Sequence, residues 1–408
     1  MSNCVGSLVA ACCLFATVAC FYDYELDLYL DDSYNRTIQA VSAILWKSFE
    51  TEIRNQSNAL IFTIPSAIDI NFINEVSDKE MQERIMRSLP LYESFHKDLG
   101  TTTNIMTSNE MHFKTIFYGE LEEMNKRMLV GHAFSKLSKT NDRFELIVNN
   151  REDPVTKFYK LYLAVMERGM GVTCNVRYCA YPTIFVENAP FAILTLSSWN
   201  IISVDGFTWT EQSEFTLSDT SLVQAISARG YSSYEYAEFK YPKLNGCIGR
   251  VLRLPYKFNL NLTFVIPSAE TMCRSPEDLW KNVQNVNLNG LQYRRRTMYV
   301  SIPLFNVSAD IDLRMKLKGT VLANAFDQPS SRLYNALAFQ AAEVVFNPQV
   351  PKNTKRPNMD LSQNSEFRAE RPFFFALLHK ISPTPIFAGL INNPGCISQC
   401  QGLYILRE

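Results

Sequence analysis

Two apolar runs of strand length, separated by a proline-rich turn, form the clearest pattern along the chain. The first is residues 371–379, which begins Arg-Pro-Phe-Phe-Phe, and the second is residues 386–394, which contains Phe-Ala-Gly-Leu-Ile. Aromatic and β-branched residues are frequent in buried strands, and proline is frequent in the turns between them. We therefore predict that both runs are buried strands of one hairpin, joined by a turn at residues 382–385.

A second hairpin is predicted at residues 251–267. Apolar residues alternate there on both sides of the short polar stretch Lys257–Asn259, which is the pattern of a half-buried antiparallel pair. Further elements predicted in this half of the chain are a strand at residues 299–305, a helix around residues 313–317 and a strand at residues 333–346.

Helical periodicity prevails in the first half of the chain. Apolar residues recur at helical spacing from Ile38 to Ile53, which predicts an amphipathic helix. Helical periodicity also dominates between about residue 68 and residue 139, where we find no motif. Other elements predicted in this half are strands at residues 58–64, 144–149 and 191–196 and a helix at residues 158–166.

The first 35 residues differ from the rest of the chain. Residues 5–19 are uncharged and apolar and an acidic segment follows, which is typical of a secretory signal peptide, although no lysine or arginine precedes the apolar run. We predict a signal peptide at residues 1–19; a buried strand or a short anchor is the alternative. Residues 20–35 interleave acidic residues with tyrosines, which predicts a solvated arm. Sulfation of these tyrosines, directed at a basic patch on a partner, is a further hypothesis.

Six of the ten cysteines lie beyond residue 20, and an even number favours disulfides in a protein outside the cytosol. Cys174 with Cys179 and Cys396 with Cys400 are the simplest pairings, but short spacing does not fix the connectivity. Metal binding is the alternative, although the four histidines lie far from these cysteines in sequence. Glycosylation sequons favour the same compartment; they begin at Asn35, Asn55, Asn261 and Asn306.

Charge and motifs exclude several classes of function. The chain has 40 basic and 41 acidic residues, so no excess of positive charge attracts nucleic acid. No interior apolar run reaches the roughly 18 residues that a membrane span needs. The sequence lacks the motifs of nucleotide-binding loops, zinc proteases and serine hydrolases, and we predict no enzymatic activity, cofactor or metal site. The basic triplet Arg294–Arg296 either binds a sulfated glycan or lies in an exposed turn.

The C-terminal hairpin, with its basic-Pro-Phe start and its Phe387-Ala-Gly-Leu-Ile-Asn-Asn-Pro394 return, closely resembles the signature of the serpins. Residues 251–267 resemble the Leu-Pro-Tyr hairpin of that family. The resemblance implies an α+β, serpin-like fold for residues 36–394, with a helical N-terminal half and a large mixed central sheet. It also implies that the C-terminal hairpin lies in a second sheet and follows an exposed loop, residues 348–370. Residues 395–408 form a tail without a family counterpart.

In this fold Cys247 would enter the hairpin at residues 251–267 and Cys273 would leave it, so we predict a disulfide between them. Three features depart from the family pattern. The serine pair expected after the strand at residues 58–64 is not clearly present, and the Asn-x-Trp-Val motif of a helix that crosses the sheet is absent. Gln340 stands where the family usually has a histidine beneath the sheet. Together these departures weaken the parts that open the central sheet.

In inhibitory serpins a protease cleaves the exposed loop, whose first part then inserts as a central strand and traps the protease. Here the hinge that would enter first is Pro348-Gln349-Val350-Pro351, and Pro357 follows. Each proline in a central strand removes a hydrogen-bond donor and costs about 3 kcal/mol. An inward-facing Lys355 would add the cost of a buried charge. Counting along the loop places the bond that a protease would cleave at Asn364–Ser365.

The resemblance and its departures predict a secreted serpin-family protein that does not trap proteases and acts as an extracellular binding or carrier protein. In this it is similar to the divergent serpin-like proteins of insect reproductive secretions. The alternative is a serine protease inhibitor that uses the loop 348–370 as bait, and a third hypothesis is a storage or coat component. The expected partner is an extracellular serine protease or another secreted protein, with a glycosaminoglycan as a further candidate; we expect a monomer.

Overall fold

The computed structural model describes residues 32–50, 53, 58–89, 111–120, 144–149, 191–242, 244, 246–256, 260–268, 273, 275–351, 365–380 and 385–395. Within these residues the chain forms two β-sheets with helices packed against them. The predicted α+β class is therefore confirmed. The predicted helix at residues 158–166 and the segment expected to hold the crossing helix lie outside the described residues.

The first sheet has five strands in the order β10-β11-β4-β2-β3. Its strands are β2 (Met111–Glu120), β3 (Phe144–Asn149), β4 (Phe191–Ile201), β10 (Phe305–Asp312) and β11 (Leu337–Phe346). The sheet is mixed, because β4 is parallel to β11 and β2 is parallel to β3, whereas the other neighbours are antiparallel. The strands predicted at residues 144–149, 191–196 and 333–346 are present. Strand β2 lies within residues 68–139, where helical periodicity dominates in the sequence, and was not predicted.

The second sheet has nine strands, ordered β1-β14-β13-β8-β7-β6-β9-β12, with β5 paired to β6. Its strands are β1 (Ala59–Phe62), β5 (Trp209–Thr216), β6 (Leu222–Lys240), β7 (Ile248–Tyr256), β8 (Leu260–Pro267), β9 (Arg294–Pro303), β12 (Glu366–Arg368), β13 (Phe373–His379) and β14 (Pro385–Ile391). Both predicted hairpins are confirmed as the antiparallel pairs β7/β8 and β13/β14. Every residue of β13 is buried, which explains why this strand is apolar on both faces.

The described helices are α1 (Asp32–Ser48), α2 (Thr63–Val76), α3 (Lys79–Ser88), α4 (Pro276–Val283), α5 (Leu313–Lys316) and α6 (Asn324–Asp327). Because α1 begins at Asp32, the last four residues of the predicted arm 20–35 are helical. The strand predicted at residues 58–64 ends at Phe62, since Pro65 lies in the first turn of α2, where a missing N–H does not interrupt the helix. None of the described helices is long and apolar enough to cross a membrane.

Aromatic side chains connect the helices to the C-terminal hairpin and the two sheets to each other. Trp46 of α1 and Trp280 of α4 stack with ring centroids 4.3 Å apart, and both rings lie against Phe374 of β13. Each indole N–H also donates to the backbone carbonyl of the other tryptophan, at 3.2 and 3.1 Å. Phe346 of β11 packs edge-on against Phe264 of β8, across the two sheets. The hairpin predicted from its apolar residues is thus part of the core.

Cys247 and Cys273 form the predicted disulfide, with Cα atoms 5.4 Å apart. Cys247 precedes β7 and Cys273 follows β8, so the bridge joins the open end of that hairpin. The other predicted pairs, which involve Cys174, Cys179, Cys396 and Cys400, lie outside the described residues.

Candidate functional site

Strands β4 and β11 are parallel neighbours in the centre of the five-stranded sheet, and we call the line along which they pair the seam. Ten residue pairs form it, from Leu337 opposite Ala192 to Phe346 opposite Ile201, without a shift in register. A loop that entered this sheet as a new central strand would have to separate these two strands. The seam is therefore the part of the fold on which insertion depends.

The chain leaves β11 at the end of the seam, but its pairing with the neighbouring strand continues. The Asn347 N–H donates to the Ile201 carbonyl at 3.1 Å, and the Gln349 N–H donates to the Ile202 carbonyl at 2.9 Å. Pro348 lies between these two donors and is buried. Successive residues of an extended chain direct their N–H groups to opposite sides, so the N–H that Pro348 lacks would point away from β4. The missing N–H of Pro348 therefore leaves no carbonyl of β4 without a donor at this position.

In a central strand the hinge, residues 348–351, would have a neighbouring strand on each side. Such a strand donates N–H groups to neighbours on both sides, so each proline leaves one neighbouring carbonyl without a donor. Pro348 and Pro351 would have this effect on entry. In the structure Gln349 and Pro351 are exposed and Val350 is half-buried, so the hinge lies at the end of the sheet and does not enter it.

The other end of the loop is anchored at β12. The Ser365 carbonyl accepts a hydrogen bond from the Tyr299 N–H at 3.0 Å, and β12 then runs parallel to β9. Arg250 of β7 donates to the Glu366 carbonyl. Ser365, the second residue of the predicted cleavage bond, lies at this anchored end. Asn364 and the other residues from 352 onward lie outside the described residues.

Five polar side chains form a buried hydrogen-bonded network beneath the seam. Gln340 of β11, Thr195 of β4 and Thr115 of β2 occupy paired positions on these three strands. Asp69 of α2 accepts from Thr195 Oγ1 through Oδ1, at 2.8 Å, and from Gln340 Nε2 through Oδ2, at 2.6 Å. The Ser66 hydroxyl donates to Gln340 Oε1 at 2.9 Å, and the hydroxyls of Thr115 and Thr195 are also 2.9 Å apart. One carboxylate thus links both strands of the seam.

Burial raises the pKa of Asp69 from 3.8 to about 7, although the hydrogen bonds from Gln340 and Thr195 act in the opposite direction. Gln340 lies beneath the sheet, as expected, and provides a neutral amide there. A histidine at this position could carry a positive charge, whereas an amide cannot, so Gln340 supplies Asp69 with a hydrogen bond but no counter-charge.

A cleft of about 410 Å³ opens between α1, α4 and the C-terminal hairpin. Trp46, Leu288 and Phe374 contribute apolar surface, and Gln39 and Asn287 contribute amide groups. None of the lining residues is charged, so the cleft suits an uncharged, partly apolar molecule better than an ion.

The basic triplet Arg294–Arg296 is not in a turn; it forms the first part of β9 and pairs with β6. All three arginines are exposed. Arg294 and Arg296 are two residues apart and share one face of the sheet, at about 7 Å along the strand. The guanidinium groups of Arg250 and Arg296 lie 5.9 and 5.7 Å from the centroid of the Tyr236 ring. The Tyr236 hydroxyl donates to Glu238, and Glu235 pairs with Arg295 across β6 and β9.

The predicted glycosylation sites lie in different environments. Asn261 is in β8 and only 3% exposed; because a glycan cannot be accommodated there, the prediction is wrong for this site. Asn306 is half-buried in β10 and hydrogen-bonds Glu343. Asn35 lies in the first turn of α1, and Asn55 lies outside the described residues.

Sequence reasoning did not identify Asp69, Thr115 or Thr195 as parts of the site. A signal was present for Asp69, because the helix Thr63–Val76 places an aspartate among apolar residues and contains no basic residue. Nothing local marked the two threonines, whose strands are brought together only by the fold. In the described part of the chain, no three histidine, cysteine, aspartate or glutamate side chains are grouped to hold a metal ion.

Comparisons with known proteins agree with this architecture. Residues 207–394 match the family model for the serpins, serine protease inhibitors. A curated relative from Danio rerio, "Probable serpin E3", is 26% identical over 202 residues; the alignment covers 46% of this chain and 48% of the relative, which is about half of its length. The structure of native protease nexin-1 with heparin superimposes with a TM-score of 0.72 at 16% identity, covering 89% of this chain and all of the other. Serpin48 from the insect Tenebrio molitor gives a TM-score of 0.71 at 15% identity, covering 90% of this chain and all of the other.

The fold is therefore the serpin fold, and the match to the serpin family model covers residues 207–394, just under half of the chain. The low identities agree with the divergence predicted from the sequence. The five-stranded mixed sheet corresponds to the sheet that receives the loop in protease-trapping serpins.

Proposed function

We propose that the protein is secreted and binds a partner outside the cell without trapping a protease by loop insertion. The observation that carries this proposal is the hinge, because Pro348 and Pro351 lie in the segment that would have to enter the seam first. The disulfide between Cys247 and Cys273 and the apolar segment 5–19 support secretion, since stable disulfides form mainly outside the cytosol.

The order of events makes the hinge decisive. Insertion begins by separating β4 from β11, which breaks the ladder along the seam before any new pair has formed. Each hinge proline then leaves one carbonyl of a neighbouring strand without a donor at the first positions to enter. Because this penalty comes before any gain from later pairing, the barrier is high and an acylated protease is released by hydrolysis first.

The uncharged cleft beside Trp46 and Phe374 is a candidate ligand site for such a binding protein.

Reversible inhibition by a rigid loop is the second candidate function. It is favoured by the anchoring of the loop at both ends, through Gln349 at the seam and Ser365 at β9. A loop that is held in one conformation loses less entropy when a protease binds it.

Incubation of the intact protein with trypsin-like and elastase-like proteases tests the proposal. We expect cleavage within residues 352–364 and no SDS-stable complex. The cleaved protein should melt within a few degrees of the intact protein, because the central sheet gains no strand. An SDS-stable complex, or a large rise in melting temperature after cleavage, would contradict the proposal. Reversible loss of protease activity without cleavage would favour the rigid-loop alternative.

A variant carrying Pro348→Ala, Pro351→Ala and Pro357→Ala is the matched comparison. It restores backbone donors without changing the rest of the loop. If the proline rings prevent insertion, the cleaved variant should melt at a higher temperature than the cleaved wild-type protein. Equal melting temperatures would mean that another part of the loop is responsible.

A sulfated glycosaminoglycan is the further partner that we propose, at the exposed arginines of β9. Replacing Arg294, Arg295 and Arg296 with alanine should weaken heparin binding about tenfold, because each exposed ion pair contributes on the order of 0.5 kcal/mol. Elution from a heparin column at rising salt, followed by titration, measures this. The control variant removes three exposed basic residues elsewhere: Lys79→Ala, Arg87→Ala and Lys318→Ala. Equal losses in both variants would assign the binding to net charge alone.

A further inference from the structure

One row of polar residues crosses the core face of the five-stranded sheet. Gln340, Thr195 and Thr115 are direct register partners on three adjacent strands, and all three are buried. Thr195 donates to Asp69, so the hydroxyl contact between the two threonines has Thr115 as its donor whenever Asp69 is ionised. Every hydrogen bond of the row is then directed toward the Asp69 carboxylate.

Among the residues that the structure describes, the groups that hydrogen-bond to Asp69 and those behind them are all neutral. They are Thr195 and Gln340, with Thr115 and Ser66 behind them. Glu343 of β11 is three residues from Gln340, and strand alternation places it on the opposite face of the sheet. On α2 the other acidic residue, Glu75, lies almost two turns away. The helices packed against α2 carry the charged residues Arg36, Lys47, Lys79, Glu80, Glu83, Arg84 and Arg87.

We propose that the Asp69 carboxyl group is a proton-dependent link between β4 and β11 that holds the seam closed when protonated and weakens it when ionised. The protonated group is neutral and remains buried at little cost. It can donate its own proton to Thr195 Oγ1 once that hydroxyl turns toward Thr115. Loss of the proton to solvent leaves a negative charge, and the described residues that hydrogen-bond to Asp69 provide no counter-ion. Separation of the strands then admits water, which hydrates the charge.

The direction of the pH effect follows from burial. The closed form has its Asp69 pKa raised to about 7, whereas an opened, hydrated form regains the ordinary value of 3.8. Between these values the closed form binds the proton and the opened form does not, so closure is favoured most at low pH. The benefit decreases as pH rises and is lost above about 7. Over this interval the opening equilibrium constant should rise up to tenfold for each pH unit.

Hydrogen exchange of the intact protein between pH 5 and pH 8 tests this proposal, after correction for the intrinsic pH dependence of amide exchange. We expect opening in peptides from β4 and β11 to increase by up to tenfold per pH unit from pH 5 to 7 and then to level off. Asp69→Asn keeps the size and polarity of the side chain and should remove this slope. Asp205→Asn, at an exposed position, is the matched control and should retain it.

In the Asp69→Asn comparison and in the wild-type protein, either of two results would overturn the proposal. One is a wild-type slope that persists in Asp69→Asn. The other is an equal slope in peptides from β13 and β14, because Asp69 would then act on the whole fold and not on the seam. Thr195→Val guards against failure of the asparagine variant to fold. It removes a hydrogen bond that lowers the pKa of Asp69, so the transition should move to higher pH; an unmoved transition would also contradict the proposal.

Discussion

Replacing Trp280 with alanine should lower the free energy of unfolding by about 3–5 kcal/mol, the range for removing a large aromatic side chain from a core. Trp280 is fully buried and stacks on Trp46 at 4.3 Å. Its indole N–H also donates to the Trp46 carbonyl, which would lose this donor. Phe374 lies against the same pair of rings. The cavity left by the alanine substitution would therefore remove contacts among α1, α4 and the C-terminal hairpin.

Denaturant unfolding followed by far-ultraviolet circular dichroism measures the effect of this substitution without depending on tryptophan fluorescence. Trp280→Phe keeps one aromatic ring but removes the N–H donor and part of the ring volume, so its effect should be smaller than that of alanine. Leu222→Ala, at a residue that is 59% exposed, should change stability by less than about 0.5 kcal/mol. If Trp280→Ala unfolds at the same midpoint as Leu222→Ala, the tryptophan pair does not hold these elements together.

Loss of the disulfide between Cys247 and Cys273 should destabilise the protein by about 3.5 kcal/mol, as loop-closure entropy gives for a sequence separation of 26. The bridge joins the chain before β7 to the chain after β8, so its loss allows the ends of this hairpin to separate in the unfolded state. Both cysteines are buried, and replacing both with serine avoids leaving a free thiol.

The unfolding midpoint of the Cys247→Ser, Cys273→Ser variant, compared with that of the wild-type protein under oxidising conditions, checks this prediction. A reducing agent should lower the wild-type midpoint toward that of the variant. If the reducing agent lowers both midpoints equally, cysteines other than this pair are responsible for the loss.

The elements that the sequence predicts best carry their signal locally. The C-terminal hairpin is apolar on both faces because neighbouring strands and helices bury it, and its turn is marked by proline. The disulfide pair was predictable because the hairpin between the two cysteines brings its own ends together. The hinge prolines were predictable because the missing N–H is a property of the residue itself. Strand β2 was missed because its partners β3 and β4 are distant in sequence, and pairing with them, not local periodicity, determines its conformation.

The candidate site shows the same limit. Ser66 and Asp69 lie on one helix, but the residues that bind them are at positions 195 and 340. No local pattern reports a hydrogen bond over that separation, so the proton-dependent link required the structure. Asn261 is the converse case, because a glycosylation triplet is defined by three residues, whereas its burial in β8 depends on strands β7 and β13 beside it.

The prolines at the end of the seam also affect whether two copies of the protein can associate by strand exchange. A parallel pair that can be separated is open to a strand from a second copy as well as from its own chain, and such exchange leads to open-ended assemblies. Pro348 and Pro351 make the hinge a poor donor for that purpose, for the same reason that it is a poor insert. If the protein functions as we propose, the prolines that disfavour trapping should therefore also disfavour polymerisation through this segment.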